Sequence, residues 1–291
     1  MNHPPLPWDA IGPAEIALIG VPLDDGSSFL RGPAEAPRAI RAALHSAASN
    51  LWSETGVDLG RKGLWADLGD IRFTSPQHCR AEIESVVDRL LTKRLRPILL
   101  GGDHAVTYPA IRAFARHYRR LTVLQFDAHP DLYDRLNGRR FSHASPFARI
   151  MEERLIHRLV QVGVRSVTGH QRRQAQKFAV DMIEMRRLDL ALLRSLESPL
   201  YVSVDLDALD PACAPGVSHQ EPGGLSSRQV IDTIQCLDAR IVGADIVELN
   251  PTRDTNGMTA VVAAKLLKEL LGKCLIDSET DAGRSPRPTA P

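Results

Sequence analysis

The chain has 291 residues, of which 43% are hydrophobic and 24% charged, and 36 basic residues nearly cancel 35 acidic ones to a net charge of +1. This composition is typical of a globular protein with a substantial core and gives no reason to expect a nucleic-acid or membrane-surface partner. No apolar run reaches the ~18 residues that span a bilayer, residues 1–10 lack a signal-peptide pattern, and the four cysteines form no CxxC pair. We therefore expect a cytoplasmic protein with reduced thiols.

Short apolar, β-branched runs alternate with helical patterns along the chain. Ser75 and Pro76 are predicted as the N-cap and first position of a helix whose apolar residues recur at helical spacing up to Leu91. The other predicted helices cover residues 37–45, 108–117, 171–178, 227–237 and 259–271. The predicted strands cover residues 16–21, 97–100, 122–126, 159–164, 182–185, 200–204 and 241–247.

Strands that alternate with helices indicate a three-layer α/β fold with a mainly parallel sheet covered by helices on both faces. No internal repeat or interior linker divides the sequence, so we expect a single domain over residues 1–277. Residues 278–291 are polar and Pro-rich, and they predict a disordered tail.

Acidic residues or histidines directly follow four of the predicted strands. In an open parallel sheet, functional residues gather just outside the carboxyl ends of the strands. The residues concerned are His104 after a Gly-Gly-Asp turn, Asp127, His129 and Asp131 after the third strand, Asp205 and Asp207 after the sixth, and Glu248 after the last.

The Asp-x-His-x-Asp spacing lets three side chains converge, because residues i, i+2 and i+4 of an extended segment point to one side. His104, the three residues from Asp127 to Asp131, and the Asp205/Asp207 pair together bring two imidazoles and four carboxylates. Such a set is too anionic to be stable uncompensated, and two divalent cations would neutralise it. These nitrogen and oxygen ligands suit Mn²⁺, Fe²⁺, Co²⁺, Ni²⁺ or Zn²⁺.

Each motif alone has a structural explanation, as a pair of loop caps or a buried histidine with satisfied hydrogen bonds. Three strand-end clusters that are all rich in metal ligands are hard to explain in that way. Asp103 and Asp210 are assigned to supporting or turn positions. His143 comes soon enough after Asp131 to reach the same cleft. His219 lies in the Pro/Gly-rich segment 215–224, which could border the site, although the sequence favours a loop role. His45, His117, His157 and His170 are predicted to lie on the surface.

Four segments, GGDHAVTYP, DAHPDLYD, SVDLDALDPACAPG and ADIVELNPTRD, resemble the ureohydrolase family of arginases and agmatinases. The resemblance covers residues 16–271 and is strongest to plant-type arginases. It implies that His104, Asp127, Asp131 and Asp205 hold one metal, that Asp127, His129, Asp205 and Asp207 hold the other, and that Asp127 and Asp205 bridge them. It also implies proton transfer by His143, guanidinium binding by Glu248, two Mn²⁺ ions (with Ni²⁺ or Co²⁺ as alternatives), and a homotrimer or homohexamer.

The implied reaction is cleavage of a guanidino C–N bond by a metal-bound hydroxide with release of urea, with Asp207 accepting a proton. We expect a small guanidino substrate, with arginine favoured if Arg139 or Arg140 in the loop 133–142 faces the cleft. Asp134 in the same loop could instead meet an amino group. Agmatine or another guanidino compound stays open as the substrate, and so does a catalytically silent metal-binding subunit. A related one-zinc deacetylase is disfavoured, because all six positions of the two-metal set are filled.

Overall fold

The computed structural model describes residues 14–283, and its centre is one sheet of eight strands that all run parallel. The strand order across the sheet is β2-β1-β3-β8-β7-β4-β5-β6. The strands are β1 (Ile16–Gly20), β2 (Trp65–Asp70), β3 (Arg96–Leu100), β4 (Thr122–Phe126), β5 (Arg158–Val164), β6 (Asp181–Glu184), β7 (Leu200–Asp205) and β8 (Ile241–Val247).

Helices cover both faces of this sheet. They are α1 (Ala36–Leu44), α2 (Cys79–Thr92), α3 (Thr107–His117), α4 (Pro146–Glu152), α5 (Gly169–Lys177), α6 (Ser227–Cys236) and α7 (Met258–Gly283). Successive residues of a strand point to opposite faces, so Ile16 and Leu18 pack into the core shared with α1, α6 and α7. Ala17 and Ile19 pack into the core beneath α2 to α5. The predicted three-layer α/β fold is thereby confirmed.

The sequence prediction missed two elements, β2 and α4. β2 reads WADLGD, and only Ala66 and Leu68 are buried, so this edge strand lacks the continuous apolar run of a central strand. α4 has only seven residues, too few for its apolar positions to repeat at helical spacing.

The predicted start of α2 was wrong. The helix begins at Cys79 with His78 as its N-cap, and the backbone N–H of His78 donates to the Ser75 carbonyl at 3.1 Å in the turn before it. Glu82 in the first helical turn accepts from the backbone N–H of Thr74 at 3.1 Å. This contact folds the preceding segment back over the helix terminus, so Ser75 does not cap it.

The C-terminal prediction also needs a correction, because α7 continues to Gly283, and the first residues of the predicted tail are therefore helical. Residues 284–291 lie outside the described part of the chain. Among residues 14–283, no helix combines the length and apolar character that crossing a bilayer requires.

The strand order places the four strands that carry the predicted site residues side by side. β3, β8, β7 and β4 are consecutive in the middle of the sheet, although β7 and β8 come last in the sequence. Because all four run in the same direction, their carboxyl ends open onto one region of the sheet edge.

Candidate functional site

His104 is placed at the end of β3 by the two glycines before it. A Cβ on Gly102 would lie 1.6 Å from the Leu23 carbonyl oxygen, so only glycine permits this close approach of two backbones. Asp103 then caps the short 3₁₀ turn that begins at His104, with its side chain accepting from the Ala105 N–H at 3.1 Å. The turn directs the His104 imidazole into the sheet edge, where it is fully buried.

Three carboxylates face one nitrogen of His104. Its Nδ1 lies 3.1 Å from a carboxylate oxygen of each of Asp127, Asp131 and Asp205. Among the described residues it nevertheless forms no well-directed hydrogen bond. One buried imidazole nitrogen without a hydrogen bond, with three carboxylate oxygens converging on it, is a donor set that fits a divalent cation.

The opposite nitrogen of His104 is held by a buried hydrogen-bonded chain. Nε2 lies 2.9 Å from Oγ of Ser203, and that hydroxyl donates to Oδ1 of Asp245 at 2.6 Å. The other carboxylate oxygen of Asp245 accepts from the hydroxyls of Tyr201 at 2.7 Å and Thr107 at 2.8 Å. With the Ser203 hydroxyl committed to Asp245, His104 Nε2 must carry the proton, and Nδ1 keeps its lone pair for a cation.

A second ligand group lies beside the first. Single ligand atoms of Asp127, His129 and Asp207 all lie within 4.8 Å of one another. Nδ1 of His129 is 3.1 Å from Oδ2 of Asp207 and 3.5 Å from Oδ1 of Asp127, whose Oδ2 faces His104. The two oxygens of Asp127 therefore face different histidines, His104 and His129, as the oxygens of a bridging carboxylate do.

Burial makes this cluster electrostatically costly without a cation. Burial raises the pKa of Asp131 to about 6, and repulsion from Asp127 adds to the shift. The pKa of Asp205 is raised well above its usual value by burial and by the carboxylates of Asp207 and Asp127. Burial opposes charge on His104 as well, but the surrounding carboxylates raise its pKa well above the usual value. Divalent cations would replace the protons that otherwise hold these groups together.

Asp131 and Glu248 both occupy the left-handed region of backbone conformation, with φ values of 51° and 65°. Non-glycine residues adopt it rarely, and such strain clusters at functional sites. In Glu248, Oε1 accepts from the backbone N–H of His104 at 2.9 Å and lies 3.5 Å from Nδ1 of His143. Its carboxylate therefore lies between the His104 turn and His143.

His143 also reaches the cleft. Its Nε2 lies 2.9 Å from Oγ of Ser28, and its ring stacks on His219 with a centroid distance of 5.0 Å. Burial disfavours the charged imidazole, but the adjacent Glu248 overrides this and raises the pKa of His143 to about 9. For His219 the favoured role as a loop residue was wrong and the alternative holds, because the segment 215–224 borders the site and brings this ring against His143 and His129.

The three residues predicted to read the far end of a substrate each have a protein partner outside the ligand groups. Asp134 lies 2.5 Å from Nε2 of His170, Arg139 donates to the Asp25 carbonyl, and Arg140 pairs with Glu152 at 2.7 Å. Arg149, whose side chain is fully buried, donates to the carbonyls of Asp134 and Arg140 at 2.7 and 2.9 Å. It fixes the backbone of this loop.

Sequence reasoning missed the residues that support the ligands. Asp245 had a usable signal, because an acidic residue in the otherwise apolar strand IVGADIV is buried and needs hydrogen-bond partners. Ser203 precedes Asp205 by two residues and so faces the same side of β7. Ser28 and His219 come from loops whose paths the sequence patterns do not determine.

A family model confirms the resemblance, since the model of the Arginase family matches residues 14–272. The chain belongs to the arginase family. Arginase 1, mitochondrial, of Arabidopsis thaliana is 45% identical over 277 residues, which cover 89% of this chain and 81% of that protein. The arginase structure from Medicago truncatula has a TM-score of 0.85 and 43% identity, covering 90% of this chain and 87% of the other.

A third relative carries a different substrate in its name. The mitochondrial guanidino acid hydrolase of Homo sapiens is 34% identical over 88% of this chain and 77% of its own length.

As an arginase-family member, the protein is a hydrolase of the type that acts on linear amidines. The family is metal-dependent, and the two ligand groups are the candidate metal sites here.

The comparisons correct one expectation. A cytoplasmic location was predicted because the sequence shows no membrane-spanning run, no signal-peptide pattern in residues 1–10 and no CxxC pair, but the plant arginase at 45% identity is named as a mitochondrial enzyme. That finding contradicts the prediction.

Proposed function

We propose that the protein is a binuclear metal-dependent arginase that hydrolyses L-arginine to L-ornithine and urea. The observation that carries this proposal is the position of Asp127, whose two carboxylate oxygens face His104 on one side and His129 on the other. The second direction leads to His129 and Asp207, which lie outside the group around His104. The choice of arginine is supported by the 45% identity to a plant arginase.

The ligands divide into two overlapping sets. One cation would be held by His104, Asp127, Asp131 and Asp205, and the other by Asp127, His129, Asp205 and Asp207. Mn²⁺ suits these nitrogen and oxygen donors, and Ni²⁺ and Co²⁺ are the alternatives. A bound pair would supply a hydroxide nucleophile near neutral pH.

Glu248 would bind the guanidinium of the substrate. A planar cation pairs well with a carboxylate through charge-assisted hydrogen bonds, and Glu248 is buried at the cluster with its position fixed by the His104 backbone N–H. This pairing would hold the guanidinium carbon at the ligand groups and reduce the entropic cost of reaction.

Protons would move through Asp207 and His143. Asp207 is buried and its Oδ2 lies near His129, so it can accept a proton from the nucleophile as the guanidinium carbon is attacked. His143 is held in its protonated form by Glu248, with Nδ1 at 3.5 Å from that carboxylate. It would donate this proton to the leaving amine, which departs as ornithine.

The far end of the substrate would be read at the loop around Asp134, Arg139 and Arg140. If Arg139 or Arg140 left its protein partner, its guanidinium would suit a carboxylate at this end of the substrate. Free L-arginine and guanidino acids both carry such a carboxylate. The human guanidino acid hydrolase makes guanidino acids the second candidate substrates. We further propose a homo-oligomeric state, trimer or hexamer, which analytical ultracentrifugation would test.

The deciding experiment measures urea release by protein loaded with Mn²⁺ or, separately, Ni²⁺. The substrates are L-arginine, agmatine and 4-guanidinobutyrate, and the matched controls are chelator-treated protein and Asp127→Asn. The proposal expects arginine to give the highest kcat/KM and both controls to be inactive. A higher kcat/KM for 4-guanidinobutyrate or agmatine would overturn the assignment of arginine as the substrate. If no compound released urea, the protein would be a catalytically silent metal-binding subunit.

A further inference from the structure

His219 is the meeting point of an aromatic cluster at the mouth of the site. Its ring is stacked on His143 at 5.0 Å with an interplanar angle of 18°, and it meets the His129 ring edge-on at 6.1 Å. The ring also contacts Phe29 at a centroid distance of 5.9 Å. Phe29 itself is 70% exposed, so these rings lead from solvent to the ligand groups.

The backbone that carries His219 is tied to the strand end that carries Glu248. Val217 forms a β-bridge with Leu249, and the backbone N–H of Asn250 donates to the Gly216 carbonyl at 2.7 Å. The side-chain amide of Asn250 donates to Oγ of Ser218 at 2.9 Å. The backbone that carries His219 is therefore held in place relative to Glu248.

His143 has few anchors of its own. Ser28 contacts its Nε2 at 2.9 Å, and Glu248 lies at 3.5 Å from its Nδ1. In the proposed reaction Glu248 also binds the substrate guanidinium, so its hold on His143 weakens when substrate arrives. The contacts that persist are the one to Ser28, which holds only the Nε2 edge, and the stacked face of His219.

We propose that His219 is a positioning residue for His143, and that its ring face keeps the His143 imidazole turned into the cleft while Glu248 engages the substrate. This inference rests on the proposed function. The ring nitrogens of His219 have no hydrogen-bond partner in the part of the chain that the structure describes, whereas its ring contacts three other rings. The flat ring is therefore the part of His219 that contacts His143.

The test compares His219→Phe, which keeps a flat ring, with His219→Gln and His219→Ala, which do not. A misdirected proton donor lowers turnover more than binding, so we expect kcat for arginine to fall roughly tenfold in the Gln and Ala variants with KM changed less than about threefold. The Phe variant should keep kcat within about threefold of wild type, because aromatic stacking tolerates the exchange. His117→Ala, which removes an exposed histidine on α3, is the matched control and should match wild type.

Two further readouts separate positioning from a general loss of structure. Melting temperature and bound metal should be unchanged in all variants, and the pH dependence of kcat should shift in the Gln and Ala variants only. Wild-type kcat in His219→Ala, or an equal loss in His219→Phe and His219→Gln, would overturn the inference.

If the wild type hydrolyses none of the guanidino compounds, the proposed function fails on its own. The inference is then decided by NMR of the His143 imidazole in the same variants. The ring-current shift from a stacked neighbour should be lost in His219→Ala and kept in His219→Phe. An unchanged His143 signal in His219→Ala would overturn the inference.

Discussion

At the scale of single residues, the orientation of His104 depends on Asp245, which acts on it through the hydroxyl of Ser203. Asp245 accepts from Ser203, Tyr201 and Thr107 in a fully buried site. In Asp245→Asn, one of these hydroxyls faces an amide N–H₂ in place of a carboxylate oxygen. The hydrogen bond that fixes the protonated nitrogen of His104 is then weakened.

We expect Asp245→Asn to lower metal affinity about 10- to 100-fold, as loss of a ligand-orienting partner does. Isothermal titration calorimetry with Mn²⁺ measures this directly, and Asp88→Asn on the surface of α2 is the control. Equal affinities for Asp245→Asn and wild type would show that the chain from Asp245 to His104 does not position the ligand.

The residues predicted from sequence were those whose position follows from a strand end. Asp127, Asp205 and Glu248 each come directly after or at the end of an apolar run, so the parallel-sheet rule alone places them at one edge. His219 could not be found in this way, because it is brought to His143 by a loop whose course depends on pairing with Leu249 and Asn250. Tertiary contacts of that kind leave no periodic signal in the sequence.

At the scale of elements, Arg165 connects three segments around the site. It follows β5, and its guanidinium donates to five backbone carbonyls, those of Gly163, Asp207, Ala208, Leu209 and Glu221. Burial lowers the pKa of this arginine. It therefore holds the turn containing Asp207 against the segment that carries His219.

We expect Arg165→Lys to destabilise the protein, because an ammonium group cannot reproduce the planar fork of donors. The expected loss is about 1–3 kcal/mol in the free energy of unfolding, measured by urea denaturation and reflecting carbonyls left without a partner. Arg173→Lys on the exposed side of α5 is the matched control. A stability equal to that of the control would contradict the role of Arg165 as a connector.

At the scale of the whole molecule, cation binding should stabilise the fold, because the ligand groups exist only in the folded state. A ligand present at about 100 times its Kd adds about 2.7 kcal/mol. Differential scanning calorimetry should therefore show a higher melting temperature with Mn²⁺ than with a chelator. His104→Ala should lose most of this increase, and an equal increase in this variant would place metal binding elsewhere.

The last two strands of the sequence occupy the middle of the sheet. β3 and β4 are synthesised early, yet they are not neighbours, and the gap between them is filled by β7 and β8 near the end of the chain. A nascent chain that has reached only α5 thus carries His104 and the Asp127–Asp131 motif on strands with nothing between them. The site can therefore reach its full cation affinity only after the last two strands are in place. Bound cations would then indicate that the sheet is complete.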